Sequence, residues 1–517
     1  MHTQNRIRMT STDRYLKPLR IVIVAALGIA ATVLVLMSYQ WPLQGDAQVF
    51  HYSHFLIQNG FAPYRDIPDI NMPGVYLIED WATHVFGGSD LGWRVYDFTL
   101  LAVLTSAMIV IARTYDWIAG LFAGVIFALA HGCMGPWNTA QRDEVMTVLI
   151  LVAYAFLFEA LRKHKPWMLF ASGLSLGMAS AIKPTVAPFG IVLLAMTAWR
   201  LRKEGKSAAA YMWLGVAGAT LAGVLVLTYL VRYHAVGDFY YCARQLTSFY
   251  TGQDRASLRT MLRHVVPFGA AVILPFGIIV ALVEKRWRNW ERTALMVGVL
   301  FGAFSYFAQG KGYSYHVYPL AAMILLWSSL ELMLAMHSRK WTRWVGIAGI
   351  AVGILIAIPT YFHRLPGFSP IRDDYTVTLQ SDLTRLGGAR LNHQVQCLDL
   401  IDGCFAALYH LRLVQSTGFM GDLLLFSPGT SPVIGELRET FWNTMSQNPP
   451  SVIVLSNETF YGPRTFNKIN VWPSFAAYLK DNYHPVVDRT FPKQGEMAYR
   501  IYVRDGVSIS LNQQAAL

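Results

Sequence analysis

The chain has 517 residues, of which 54% are hydrophobic and only 14% charged, and its net charge is +12. That composition excludes an ordinary set of soluble domains and a disordered chain. It does not point to nucleic acid either, because much of the positive charge sits in short clusters between apolar runs, with no basic helix or zinc-finger spacing.

A hydrocarbon core of roughly 30 Å needs about 20 predominantly apolar residues per helix. Eleven apolar runs recur, centred on Ile21–Met37, Phe98–Ile111, Trp117–Ala130, Val145–Leu161, Met168–Ile182, Val186–Ala198, Ala208–Val231, Val265–Val283, Ala294–Ala308, Val317–Met336 and Trp344–Tyr361. The first is too long for a signal-peptide core and no A-x-A-like site follows, so it reads as an uncleaved first helix. Cations precede it at Arg6, Arg8, Arg14, Lys17 and Arg20. They recur at Arg162/Lys163/Lys165, Arg200/Arg202/Lys203/Lys206, Lys285/Arg286/Arg288/Arg292 and Arg339/Lys340/Arg343. With eleven crossings every cluster falls on the side of the N-terminus, which the positive-inside rule makes cytoplasmic. The C-terminus is then extracytoplasmic.

Residues 1–361 therefore read as an all-α polytopic membrane domain. Its polar first outer loop, 40–93, contains two helices expected to lie in the membrane interface, the first in AQVFHYSHFLIQNG and the second over Val75–Phe86. Residues 362–517 read as a small extracytoplasmic α/β domain. Its strands are expected at Gln394–Ile401, Ser451–Leu455 and Met497–Val503, and its helices at Phe405–Val414, Gly435–Ser446 and Ser474–Asn482. It has no GxGxxG or P-loop and hence no nucleotide site. Cys397 and Cys404 suit a disulfide or two buried thiols in one core, while Cys133 and Cys242 are expected to be unpaired.

Polar groups near the membrane are costly without a cavity or partners, so their positions carry information. Asp46, Arg142, Asp143, Lys183, Lys311, Tyr313 and His316 all fall at outer ends of predicted spans, against the prevailing charge bias. Cations at headgroup depth suit a lipid-linked phosphate, and a carboxylate beside them suits a general base for an acceptor hydroxyl. Each residue also has a plainer role. Asp46 could be a helix N-cap, Asp143 could pair with Arg142 or cap its helix, and Lys183 could snorkel from a span end. Arg65-Asp66 and Asp69 could be a solvated turn, and Tyr313, Tyr315 and Tyr318 could form an aromatic belt. His51-x-x-His54 could place two imidazoles on one helix face; a structural role facing headgroups is the expectation.

Gly45-Asp46, G-x-x-P-Y-R-D (Gly60 to Asp66), N-x-P (Asn71 to Pro73), Phe86-Gly87 and Arg94 together resemble a first-loop signature. It is that of GT-C-fold, polyprenyl-phosphate-sugar-dependent glycosyltransferases, the family of protein O-mannosyltransferases and the lipid A aminoarabinose transferase. Arg142-Asp143, G-x-x-x-G-x-x-x-x-x-K-P (Gly173 to Pro184) and QGKGYSYHVYP (Gln309 to Pro319) are similar to three further elements of that family. The resemblance spans roughly residues 20 to 360. It implies inverting transfer from a polyprenyl-phosphate sugar to a cell-envelope glycan, lipid or protein, with Asp46 as general base and Asp143 as a second catalytic candidate. Arg65, Arg142, Lys183, Lys311, Tyr313 and His316 are the expected substrate contacts. The family often has a paired acidic motif where Asp46 is followed here by Ala47. Some members need a divalent metal, but no ligand set stands out in this sequence. A transporter or flippase for lipid-linked sugars would need polar residues through the midplane and a repeat. An envelope polymerase or ligase would share the lipid substrate, but the first-loop Asp signature argues against it. A non-catalytic scaffold would leave the outer charged layer unexplained.

Overall fold

The computed structural model describes residues 13–253, 255–286, 289–365, 367 and 373–507. Arg6, Arg8 and Arg288 of the predicted basic clusters lie outside them.

The helical region opens with α1 (Asp13–Ser38), α2 (Asp46–Gln58), α3 (Pro73–Phe86), α4 (Asp90–Ala112), α5 (Trp117–Gly132) and α6 (Arg142–Lys163). It continues through α7 (Trp167–Ile182), α8 (Val186–Lys203) and α9 (Ala209–Arg232) to three short helices, α10 (Val236–Tyr241), α11 (Thr247–Gly252) and α12 (Leu258–His264). It closes with α13 (Phe268–Glu284), α14 (Trp290–Gln309), α15 (Tyr318–Met336), α16 (Thr342–Val352) and α17 (Ile358–Arg364).

Every predicted apolar run lies in a helix, yet eleven clear spans is a correction. Among the described residues six helical stretches are long and apolar enough to cross a membrane, and a seventh if α12 and α13, bent by 77°, form one broken span. At 16 residues each, α5 and α7 reach only about 24 Å at 1.5 Å per residue, short of the hydrocarbon thickness. Basic residues Arg200, Arg202 and Lys203 close α8, and Glu291 and Arg292 open α14. A helix packed among others need not be as apolar as one facing lipid. The most enclosed stretch, Ser314–Met336, is 94% buried, whereas Ala209–Arg232 is 22% buried. α7 and α9 approach closely through small residues: a Cβ on Gly173 would lie 1.9 Å from the Gly215 carbonyl oxygen.

The two ends of the bundle differ. At one end buried carboxylates tie the helices together, with Arg162–Glu291 at 2.7 Å, Arg20–Asp116 at 2.5 Å and Arg292–Glu331 at 2.5 Å. These are the predicted basic loops. The other end carries α2, α3, the N-terminus of α6, the C-terminus of α7 and the C-terminal unit.

That unit has α18 (Asp374–Leu386), β1 (Val395–Leu398), α19 (Cys404–His410), α20 (Pro432–Gln447), β2 (Val452–Ser456), α21 (Pro473–Asn482), β3 (Tyr483–Phe491) and β4 (Met497–Arg504). The sheet order is β1-β2-β4-β3, with β1 and β2 parallel and the remaining pairs antiparallel. β3 is an element the sequence hides. Pro485 interrupts it beside a register shift, and its outer residues are exposed, as an edge strand allows. Cys397 and Cys404 form a disulfide that joins the end of β1 to the start of α19, while Cys133 and Cys242 are free.

α2, expected at the membrane interface, is enclosed by protein. Its residues from Ala47 to Ile57 are nearly all buried, between α3 and α19. Gln48 donates to the Ile401 carbonyl at 2.5 Å and accepts from the Ala406 N–H at 3.1 Å. The Tyr52 hydroxyl donates to the Leu413 carbonyl at 2.9 Å and accepts from the Gln415 N–H at 2.8 Å.

Candidate active site

Gly45 fixes how Asp46 is presented. Its φ of +63° is the left-handed region, and a Cβ there would lie 2.7 Å from the Trp137 carbonyl oxygen. Asp46 is the first residue of α2, but its side chain makes no cap. It accepts instead from Arg142 Nη2 at 2.6 Å. Arg142 Nη1 donates to the Asn71 side-chain oxygen, and the guanidinium lies 4.9 Å from the Phe50 ring centroid. Asn71 is itself held by Asp69, which accepts from its side-chain nitrogen at 2.7 Å and from the Tyr76 hydroxyl at 2.6 Å. So the N-x-P segment of the first loop braces Arg142. The third guanidinium donor, Nε, is buried with no acceptor among the described residues.

Asp143 faces elsewhere. Both its oxygens accept from Lys183 Nζ, at 2.6 and 2.7 Å, and Lys183 also donates to Gln309. Asp143 therefore neither pairs with Arg142 nor caps α6, and Lys183 turns inward rather than snorkelling. Lys311 donates to the Tyr250 carbonyl at 2.9 Å and to that of Gln253, with its ammonium 4.2 Å from the Tyr250 ring centroid. His316 is buried beside Tyr313 and Tyr315, within electrostatic reach of Lys183, Arg142 and Lys311, and its Nδ1 has no partner among the described residues.

A cavity of about 520 Å³ opens at this point, between the first loop, the Tyr313–Tyr315 segment and the C-terminal unit. Of the predicted residues, Asp46, Arg142 and Tyr313 line it, and Asp143, Lys183, Lys311 and His316 do not. Asp143 and Lys183 lie off the cavity wall, within electrostatic reach of Arg142. Arg65 lies apart as a half-exposed partner of Asp66 at 2.8 Å, which is the solvated turn. The tyrosines make no belt: Tyr313 and Tyr315 line the cavity, and the buried Tyr318 hydroxyl meets His131 Nδ1 at 2.8 Å.

Sequence reasoning missed Asn71 and Asp69 as braces, although N-x-P was visible. It also missed a buried group behind the site. Arg94 donates to Asp97 at 2.7 Å, and His131 Nε2 lies 3.1 Å from Asp97 and 3.7 Å from Glu144. These residues come from three helices, and no local spacing links them.

Among the described residues two sets have the composition of a divalent-cation site, Asp97/His131/Glu144 and Asp399/Asp402/Glu458. Neither fits a cation well. Asp97 already accepts from Arg94, His131 and the Ala140 N–H. Asp399 accepts from four backbone N–H groups of residues 400, 402, 403 and 404, and Asp402 is held by Arg464. His51 and His54 do not form a ligand pair either, and both are buried. His51 is buried 2.6 Å from Glu79, while His54 Nε2 meets Gln58 at 2.8 Å.

Residues 70–230 match the family described as dolichyl-phosphate-mannose-protein mannosyltransferase, a segment that contains Asn71, Arg142, Asp143 and Lys183. In overall structure the chain is similar to ArnT from Cupriavidus metallidurans bound to undecaprenyl phosphate. The TM-score is 0.56 at 13% identity, over 95% of this chain and 98% of that one. The chain has the GT-C glycosyltransferase fold. Family match over residues 70–230 and fold agree on the glycosyltransferase class, and several helices are apolar and long enough to cross a membrane. The archaeal oligosaccharyltransferase AglB from Archaeoglobus fulgidus, in complex with an inhibitory peptide and a dolichol-phosphate, shares this fold. Its TM-score is 0.50 at 14% identity, over 97% of this chain and 76% of that one. So does the mycobacterial arabinofuranosyltransferase AftD, with a TM-score of 0.52 at 12% identity, over 95% of this chain and 40% of that one. No curated protein sequence matches the chain.

Proposed function

We propose that this GT-C enzyme moves a sugar from a polyprenyl-phosphate donor to a hydroxyl of a cell-envelope acceptor, with inversion, at the extracytoplasmic face of a bacterial inner membrane. Residues 1–361 form the membrane domain in this reading and 362–517 the outer domain. The outer face has no nucleotide sugars, so a donor there must be lipid-linked. The observation that carries the reading is Asp46 and Arg142 side by side in the wall of the cavity, with a buried, unsatisfied Arg142 Nε.

In the step proposed, the acceptor oxygen attacks the anomeric carbon and Asp46 takes its proton. The bond from that carbon to the phosphate oxygen breaks, and polyprenyl phosphate leaves with the electron pair. Arg142, whose fork already spans Asp46 and Asn71, meets the growing phosphate charge through Nε, and Lys183 adds a second cation from behind. Asp143 is a positioning residue that holds Lys183. Lys311 and His316 set the charge of the pocket, and Tyr313 closes its side. Arg65 has no part in the step.

Asp46→Asn keeps the size of the side chain and removes the base. Transfer from an undecaprenyl-phosphate sugar is expected to fall at least about 10²-fold, with the melting temperature within a few degrees of wild type. Full activity in that variant would remove Asp46 from the mechanism.

A further inference from the structure

The cavity has two unlike walls. One is the polar face with Asp46, Asp69, Asn71 and Arg142. The other comes from the C-terminal unit, and Leu400, Phe419, Met420, Leu424, Leu437 and Phe460 dominate it. Among the described residues, Glu458 is the only charged side chain that this unit contributes to the lining, and it contributes no Lys or Arg. Burial and the neighbouring Asp402 raise the Glu458 carboxyl well above the usual range.

The wall is rigidly placed. Gln48, two residues beyond Asp46, holds the 397–404 loop through Ile401 and the start of α19 through Ala406, and the disulfide closes that loop. The distance from apolar wall to base is thus set within one packed unit.

We infer that this wall binds the apolar part of a neutral, hydroxyl-bearing lipid acceptor, whose hydroxyl then reaches Asp46. The inference rests on the glycosyltransferase reading and names its acceptor class. A phosphate-bearing acceptor would meet Glu458 and no cation on this side. A free glycan would find few hydrogen-bond partners and would leave leucines and a methionine in water. The donor's phosphate is drawn to the opposite wall, where Arg142 stands, so the apolar wall is left to the acceptor.

The full chain in nanodiscs can be photolabelled with three diazirine probes: a monoacylglycerol, a lysophosphatidic acid of the same chain length, and an undecaprenyl phosphate. A diazirine-bearing maltose serves as the glycan control, and labelled peptides are mapped by mass spectrometry. The monoacylglycerol is expected to label Phe419–Leu425 most strongly. Leu424→Gln or Leu437→Gln should lower that labelling about tenfold, with undecaprenyl-phosphate labelling retained. If undecaprenyl phosphate labels Phe419–Leu425 as strongly, the wall belongs to the donor chain and the inference fails. It also fails if lysophosphatidic acid or the maltose probe labels the segment as well as the monoacylglycerol does. The wild-type comparison decides even if a variant does not fold. Loss of undecaprenyl-phosphate labelling around Arg142 and Lys183 would instead count against the glycosyltransferase reading.

Discussion

Arg142 and Lys183 are both cations beside carboxylates, yet they hold different jobs. Arg142 spans Asp46 and Asn71 with a planar fork that an ammonium cannot copy. Arg142→Lys is therefore expected to lower kcat/KM about 10²-fold or more in a donor-saturation assay. Asn71→Ala should act in the same direction but more weakly, through a looser Arg142. Lys183 is the partner of a fully buried carboxylate. Lys183→Met should destabilise the protein by about 3–5 kcal/mol, because Asp143 is left buried and unpaired. Adding Asp143→Asn should restore most of the melting temperature without restoring transfer. That split separates a stability role from a role in the reaction. Asp46, Arg142, Asp143 and Lys183 were legible in the sequence because charge at the end of an apolar run is costly and therefore conspicuous. Their pairing was not. The sequence places Arg142 next to Asp143, but consecutive helical residues point apart, so each finds a distant partner.

At the scale of elements, α2 shows how a pattern can be read correctly as a helix and wrongly as to surroundings. Apolar residues alternate with His, Tyr, Ser and Gln along it, which suits a membrane surface. The same mixture suits burial when Gln48 and Tyr52 hydrogen-bond to the C-terminal unit and His51 meets Glu79. The loop that receives Gln48 is closed by Cys397–Cys404. Replacing both cysteines by serine is expected to cost about 2–4 kcal/mol in the C-terminal unit, read as a lower melting temperature, with a loss of transfer activity if the Gln48 contacts loosen. In the same loop, burial raises the Asp402 carboxyl to about 6. A carboxyl whose folded-state pKa lies above its unfolded value favours the folded state at low pH. That contribution is present below about pH 4 and lost as pH rises through about 6. Asp402→Asn should therefore flatten the fall in melting temperature over that window. β3 escaped sequence reading for a different reason: an exposed edge strand interrupted by Pro485 lacks the apolar alternation that marks a buried one.

Across the whole molecule, two kinds of charge are kept apart. Buried carboxylates clasp the basic loops at one end, whereas Asp46, Arg142, Asp143 and Lys183 gather at the other beside the C-terminal unit. That separation follows the alternation of apolar runs in the sequence, which was legible. Which helices are long enough to span was less so. A short helix such as α5, enclosed by others, and a long one facing lipid can have equally apolar sequences, and only packing tells them apart. The resulting account makes one end of the bundle the place where a lipid phosphate leaves and a hydroxyl is deprotonated. A cryo-EM structure of the protein in nanodiscs with undecaprenyl phosphate tests this most directly. The account predicts phosphate density within hydrogen-bond distance of Arg142 Nε or Lys183 Nζ, beside Asp46. Phosphate bound at the opposite end, among Arg20, Arg162 and Arg292, would contradict it.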